Sequence, residues 1–373
     1  VTNITVTTVA SASGGAEPES IQSIKLNAPL DYASQGRAVT TKDYEVYVKR
    51  LFPTTQAVSV WGGEDGSYDS STGVSSTPEY GKVFISIKST TGVDLTTAQK
   101  TNLEKELAPY KVASITPVVV DAETTSIILG ITIMYDSSAT TYTAAQIASL
   151  VATTVSNYNA SDLQTFNTPF RHSKLLGLID GTDTSILNSV ATVTMAKLFT
   201  PTLSSSTDYR LNFNNKFYNP VSGYNASAGG IIASTGFYLN SVTTTTYFFD
   251  DDGAGNLRTY YLVSGVRTYL DIAAGTVDYA NGLITIGSIT ITGVAEVDGV
   301  TSSQIRITVL PNSNDITPVR NQILEIDLTN TTYDGSVDAT ASTGVGYVTT
   351  TTAAGTTTTT VSSVSSTPSS SAY

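Results

Sequence analysis

The chain runs to 373 residues, 40% of them hydrophobic, which is enough for two or three domains with buried cores. Only 13% of the residues are charged and the net charge is −12; no basic stripe exists to displace counterions from phosphates, which excludes a nucleic-acid partner. The chain has no cysteine, so disulfides and thiolate chemistry are excluded, and it has no apolar run long enough for a transmembrane helix. Sparse charge with abundant Ser, Thr and Tyr points instead to surfaces that meet other protein surfaces.

No signal peptide is visible at Val1, and with no initiator methionine the chain reads as part of a longer protein. Residues 1–12 alternate apolar and polar, as a strand or an extended arm would. Glu17-Pro18-Glu19 then opens a helix with Ile21, Ile24 and Ala28 on one face, and Pro29 is expected to stop it. Thr40 with Asp43 forms a capping box before a second helix carrying Tyr44, Tyr47, Val48 and Leu51, which ends at Pro53. The polar loop between the two helices carries a single arginine, Arg37. Residues 1–53 therefore read as an N-terminal arm and helical connector.

Ala57 to Trp61 reads as a strand, followed by a long polar loop through Gly81. Val83, Ile85 and Ile87 alternate on the next strand. Asp94 or Thr96 caps a helix bearing Leu95, Ala98, Leu103 and Leu107, with Lys100 and Glu104 as an i,i+4 pair. Val118–Val120 and Ile127–Tyr135 are strands. A second capping box, Thr143 with Gln146, opens a helix with Ile147, Leu150, Val151, Val155 and Tyr158 on one stripe. Ser173–Ile179 is a further amphipathic piece before a strand at Val190–Leu198. This order, strand-helix-strand-strand-helix-strand, predicts an α+β fold with a ferredoxin-like (split βαβ) region over 54–200.

Beyond Pro201 helical periodicity disappears, and short alternating strands separated by turn residues predict a mostly antiparallel β domain over 201–338. Residues 339–373 are Thr/Ser-rich and uncharged, a tail expected to be disordered alone or extended against a neighbour.

Signals for chemistry are weak throughout. Asp250-Asp251-Asp252-Gly253-Ala254-Gly255-Asn256 has the acids of a calcium loop, but Tyr261 stands where the bidentate Glu is needed, so a hairpin turn with exposed acids is the expectation. His172, the sole histidine, begins an amphipathic segment and is expected to cap or pack there. Glu64/Asp65 and Glu104/Glu106 are sequence neighbours on exposed segments and lack the cleft separation of glycosidase carboxylates. Gly229-Gly230 and Gly253-x-Gly255 lack the lysine or the setting of a phosphate loop. No catalytic residue, cofactor or metal is expected. Arg37 and Arg320 differ in kind. Each lies in a polar segment near acids, Asp31 and Asp43 for the first, Asp315 and Asp327 for the second. Each is able to brace a loop within the chain or to fork onto another subunit. Trp61 is either core or the centre of an interface.

APLDYASQGRAVTTKDYEVYVKRLFP (28–53), VSVWGGED (58–65) and IRITVLPNSNDITPVRNQILEIDL (305–328) resemble the baseplate wedge subunit of contractile-tailed bacteriophages, within the baseplate-J-like family. The likeness extends over residues 14–330. It implies a structural, non-enzymatic virion protein of the tail baseplate, assembled in the host cytoplasm. Its implied partners are itself, as a dimer, and other wedge proteins, joined into an inner ring whose rearrangement triggers sheath contraction. Arg37, Asp43, Tyr44, Trp61, Asp315 and Arg320 are then the candidate assembly contacts. A surface-layer protein, an adhesin or a carbohydrate-binding tail protein is the alternative.

Overall fold

The computed structural model describes residues 21–69, 73–74, 77–90, 94–223, 230–239, 242–297, 300–338, 347–353 and 356–362. The expected arm at residues 1–12 lies outside the described residues. Helix α1 spans Ile21–Ser34 and α2 Thr41–Leu51; they are followed by β1 (Thr55–Gly62), the short strands β2 (Tyr68–Asp69) and β3 (Gly73–Val74), and β4 (Lys82–Ser89). Helix α3 (Thr97–Leu107) crosses over from β4 to β5 (Thr116–Asp121). The three helix caps read from the sequence all form as complete boxes: Thr40 with Asp43, Thr96 with Gln99 and Thr143 with Gln146. Of the alternatives Asp94 and Thr96, Thr96 is the N-cap.

Three expectations fail here. Pro29 does not stop α1, which continues five residues further to Ser34. Pro29 and Lys25, whose carbonyl loses its bond, are both exposed, so water serves the freed group. Helix α2 is no mere connector. Its Tyr44, Tyr47 and Val48 pack with Ala38, Val83, Ile85, Ile87, Leu103, Leu107 and Val119 into one core. That core belongs to a three-stranded sheet of order β1-β4-β5, antiparallel at β1/β4 and parallel at β4/β5. Lys100 does not pair with Glu104: it reaches Asp121 at 2.6 Å, while Glu104 accepts the Val119 amide of the outer strand at 2.9 Å.

The ferredoxin-like sheet expected over 54–200 is not what the strands build. After the single residue Ala122, β6 (Glu123–Tyr135) leaves for a different sheet, in which it pairs antiparallel with β7 (Ile186–Phe199). Helices α4 (Ala144–Ser161) and α5 (His172–Asp180) lie between them in sequence and cover one face, against Ile127, Leu129, Ile131 and Ile133. Local order had suggested one four-stranded sheet. Strands from much later in the chain win the edge of β6 instead.

The β domain is present and it is closed. Strand β8 (Ser206–Asn212) leads to β9 (Ile232–Ser234), β10 (Phe237–Leu239), β11 (Val242–Asp251), β12 (Asn256–Val263), β13 (Val266–Asp278) and β14 (Leu283–Val294). Strand β14 pairs with β13 at Leu283–Ile286 and with β10 at Ile291–Val294, which closes β10 to β14 into a barrel, with β8 along β14. Phe237, Phe249, Leu257, Val277, Ile284, Ile286 and Ile291 fill it.

The chain then returns to the second sheet. β15 (Ile305–Val309) pairs with β7 and β9, while β16 (Gln322–Ile326) and β17 (Thr332–Val337) lie one after the other, both parallel, along β6. Sheet and barrel share one continuous hydrophobic core. In the Thr/Ser-rich tail, β18 (Tyr347–Ala353) and β19 (Thr356–Ser362) form an antiparallel hairpin with each other. Among the described residues no helix is long and apolar enough to cross a membrane.

Candidate assembly surfaces

The six residues singled out from sequence do not gather into one site. Asp43 spends both its roles locally: Oδ2 accepts the amides of Val39 at 3.0 Å and Thr40 at 2.8 Å, closing the α2 cap. Burial pushes its carboxyl up, but the Thr40 and Val39 amides outweigh that and hold it below the usual carboxylate range. Tyr44 is 1% exposed and belongs to the core of the first sheet; its hydroxyl meets no hydrogen-bond partner among the described residues. Burial, then the neighbouring Asp43 carboxylate, raises its phenol. Trp61 is also buried, stacked on Phe84 at 5.6 Å, with Nε1 donating to the Gly66 carbonyl at 3.3 Å. It is core.

Asp315 and Arg320 brace the chain internally, by partners other than those the sequence offered. Asp315 accepts the His172 amide at 2.9 Å and Arg171 Nη1 at 2.9 Å, fixing the start of α5. The His172 amide, with Arg171 beside it, holds that carboxyl below its ordinary range. His172 itself packs as expected, its Nε2 2.9 Å from the Ala191 carbonyl oxygen. Arg320 Nη2 donates to the carbonyl of Asp65, just beyond β1 of the first sheet, while its Nη1 is buried without a partner among the described residues. Its backbone sits at φ +44°, in the left-handed region that a β-substituted residue enters at a cost. Of the six, only Arg37 stands exposed with no ion pair to any described residue.

The sequence missed the strongest electrostatic feature. The DDDGAGN turn does join β11 to β12, but its first two acids are not exposed: Asp250 is 1% accessible and Asp251 fully buried. Asp250 receives Arg258 Nε at 2.9 Å, Arg267 Nη1 at 2.9 Å and the Tyr269 hydroxyl at 3.0 Å. The Arg258 guanidinium lies 4.3 Å over Tyr269, and Arg267 lies 4.8 Å over Tyr260, which stacks on Phe248. Asp251 accepts the Ile232 amide at 2.9 Å and the Tyr279 hydroxyl at 2.6 Å. Burial and that carboxylate push the Tyr279 phenol far up. Gly230 leaves the space that Asp251 fills; a Cβ there would collide with its carboxylate. Only Asp252 remains as a turn acid, accepting the amides of Ala254 and Asn256. Alternation in β11 would have shown that three successive acids cannot share one face; which arginines meet them was not readable, because they come from two other strands. Among the described residues no group of three metal-binding side chains stands together.

Among the described residues, the exposed large apolar side chains include two groups. On α1, Ile21 and Ile24, from the face whose periodicity the sequence showed, are exposed, and so is Tyr32. At the end of the β12–β13 hairpin, Leu262, Val263, Val266, Leu270 and Ile272 are each half or more exposed. Exposed apolar clusters of this sort mark contacts with other proteins.

Residues 40–120 match a family model described as the baseplate structural protein gp6, C-terminal domain I, and residues 124–198 match the one described as gp6 C-terminal domain III. These matches make the chain similar to the structural baseplate wedge subunits of contractile-tailed phages, as the motifs at 28–65 indicated. In particular, the chain is 28% identical over 187 residues to the baseplate wedge protein gp6 of Enterobacteria phage T4. That alignment covers 50% of this chain and 26% of the T4 protein, so the chain spans about a quarter of the relative it matches.

Proposed function

We propose that the chain is a structural, non-catalytic part of a baseplate wedge in a contractile phage tail. It self-associates, joins neighbouring wedges into the inner baseplate ring and passes on the rearrangement that precedes sheath contraction. The observation that carries this reading is the coincidence of two boundaries. The matched ranges stop at Val120 and resume at Thr124, either side of Ala122, where one sheet ends and the next begins. The two matched ranges thus fall in two different sheets, and we read the chain as two structural units, 38–121 and 123–338, the second carrying the barrel beyond its matched part at 124–198. Arg37, the α1 face and the β12–β13 tip are the surfaces left to meet partners. The others among the six residues act inside the chain and support assembly by holding those surfaces in position.

The test is imaging. The protein expressed with its wedge partners should occupy a ring of sixfold symmetry by electron microscopy and self-associate by light scattering. A monomer with no baseplate density would overturn the assignment.

A further inference from the structure

The two units have separate hydrophobic cores, and one covalent crossing joins them. The first core runs from Ala38 to Val119, while the second draws on Ile127 through Ile326. Between them lies a small cluster of Ala57, Phe166 and Ile323, with Ala122 packed against it. The remaining bridges are polar. Lys88 Nζ meets Glu325 Oε2 at 3.2 Å, Gln56 Nε2 meets Gln164 Oε1 at 3.4 Å, and Asn321 Nδ2 donates to the Asp121 carbonyl at 3.2 Å. Arg320 reaches the Asp65 carbonyl.

The side chains on each side of Ala122 are tied back into their own unit, although the Asp121 carbonyl also receives Asn321 of the second unit. Asp121 pairs with Lys100 of α3 at 2.6 Å, and Glu123 pairs with Lys197 of β7 at 2.8 Å. Each flank is thereby stiffened, which concentrates any rotation in the residue between them. The closed arrangement also has a built-in cost, since Arg320 holds a left-handed backbone and a buried, unpartnered Nη1 to make its reach across the junction.

We propose that Ala122 is a hinge and Lys88–Glu325 its ionic clasp, so that the first unit swings as a rigid body when the clasp is screened or removed. Interfaces of this kind, small and mostly polar, leave relative domain motion as the default, and a few terminal residues of a strand suffice to absorb it. The Lys88 side chain is 12% exposed and that of Glu325 34%, so salt reaches the pair from the Glu325 side and screens it less than a fully exposed pair. The hinge is a property of the isolated chain and stands or falls independently of the baseplate reading.

The absence of native cysteine allows clean labelling. Dyes on Lys49→Cys and Ser149→Cys report across the junction; dyes on Ser149→Cys and Ser205→Cys report within the second unit. Raising ionic strength from about 0.02 M to about 0.5 M, which shortens the screening length severalfold, should increase the long-distance population of the first pair severalfold and leave the second unchanged. Glu325→Lys should produce the open population already at low salt, and adding Lys88→Glu to it should restore the closed one. If Glu325→Lys also disturbs the within-unit pair, Glu325→Gln replaces it, with the same opening expected. A single distance across the junction, unmoved by salt, by either Glu325 variant and by the charge swap, would overturn the hinge.

Discussion

The first unit and the barrel both keep a small sheet from offering bare polar edges, and they do it by opposite means. The first unit stays open and depends on residues close together in the chain: the Thr40–Asp43 and Thr96–Gln99 caps, and Glu104 covering the Val119 amide on the outer strand. The barrel closes β14 back onto β10 and sets Asp250 and Asp251 among side chains from distant strands. Local devices should fail one at a time, each taking a little stability from its own unit. The buried cluster should fail as a whole.

The largest effect expected is therefore in the barrel. Asp250→Ala removes the buried carboxylate that Arg258 and Arg267 share, while Arg258 Nη2 keeps its bond to the Asp251 carbonyl; breaking one side of such a buried pair costs about 3–5 kcal/mol, and urea unfolding followed by tyrosine fluorescence should show it as loss of the barrel with little change in the first unit. Gly63→Ala is the counterpart in the first unit. A Cβ at Gly63 would run into the Glu79 carbonyl oxygen, backbone that has nowhere to yield, so a loss of about 1–3 kcal/mol confined to that unit is expected. Thr40→Ala removes one cap and should cost about 1 kcal/mol, measurable by thermal melting. If it unfolded the barrel as well, the division into two units would be wrong.

Alkaline pH sharpens the contrast further. The folded barrel keeps the Tyr279 phenol protonated, while the unfolded chain ionises it above about 10, its ordinary value. Stability from this group is complete below that pH and falls as pH rises beyond it. Tyr279→Phe should flatten the dependence, read as urea midpoints against pH. Acid acts oppositely on Asp43 of the first unit. Its lowered carboxyl contributes fully above about 4, the unfolded value, and the contribution is lost as pH falls through the lower folded one. The smallest effect belongs to Arg37→Ala, which should leave stability within about 0.5 kcal/mol yet weaken self-association by light scattering. Unchanged association would remove Arg37 from the assembly surface.

The same contrast explains what the sequence disclosed. Thr40, Thr96 and Thr143 cap the helices they were read to cap, because a capping box is complete within four residues. The strands at Val83–Ile87 and Ile127–Tyr135 were legible from period-two alternation. Sheet membership was not, since β6 takes its outer partners from residues 322–337, and nothing near Glu123 records that. The acids of DDDGAGN looked exposed for the same reason: their partners Arg267, Tyr269 and Tyr279 lie across two strand pairings. Among the assembly candidates, Tyr44 already stood on the apolar face of its helix and Trp61 already read as core or interface, and the structure places both in the core. Arg320 was noticed for the acids nearest in sequence, and it bridges to a backbone carbonyl in the other unit.

The late return of the chain to β6 has a consequence for how the protein is made. One edge of β6 is covered by β7, but the other receives β16 and β17 only after the entire barrel has been translated. Throughout that interval on the ribosome, a nascent strand with Ile127, Leu129, Ile131 and Ile133 on one face has an unclaimed row of amides and carbonyls. A neighbouring nascent chain on the same polysome presents the same sequence. A transcript truncated before Gln322 would make that state permanent, and its product should collect in inclusion bodies while the full chain does not.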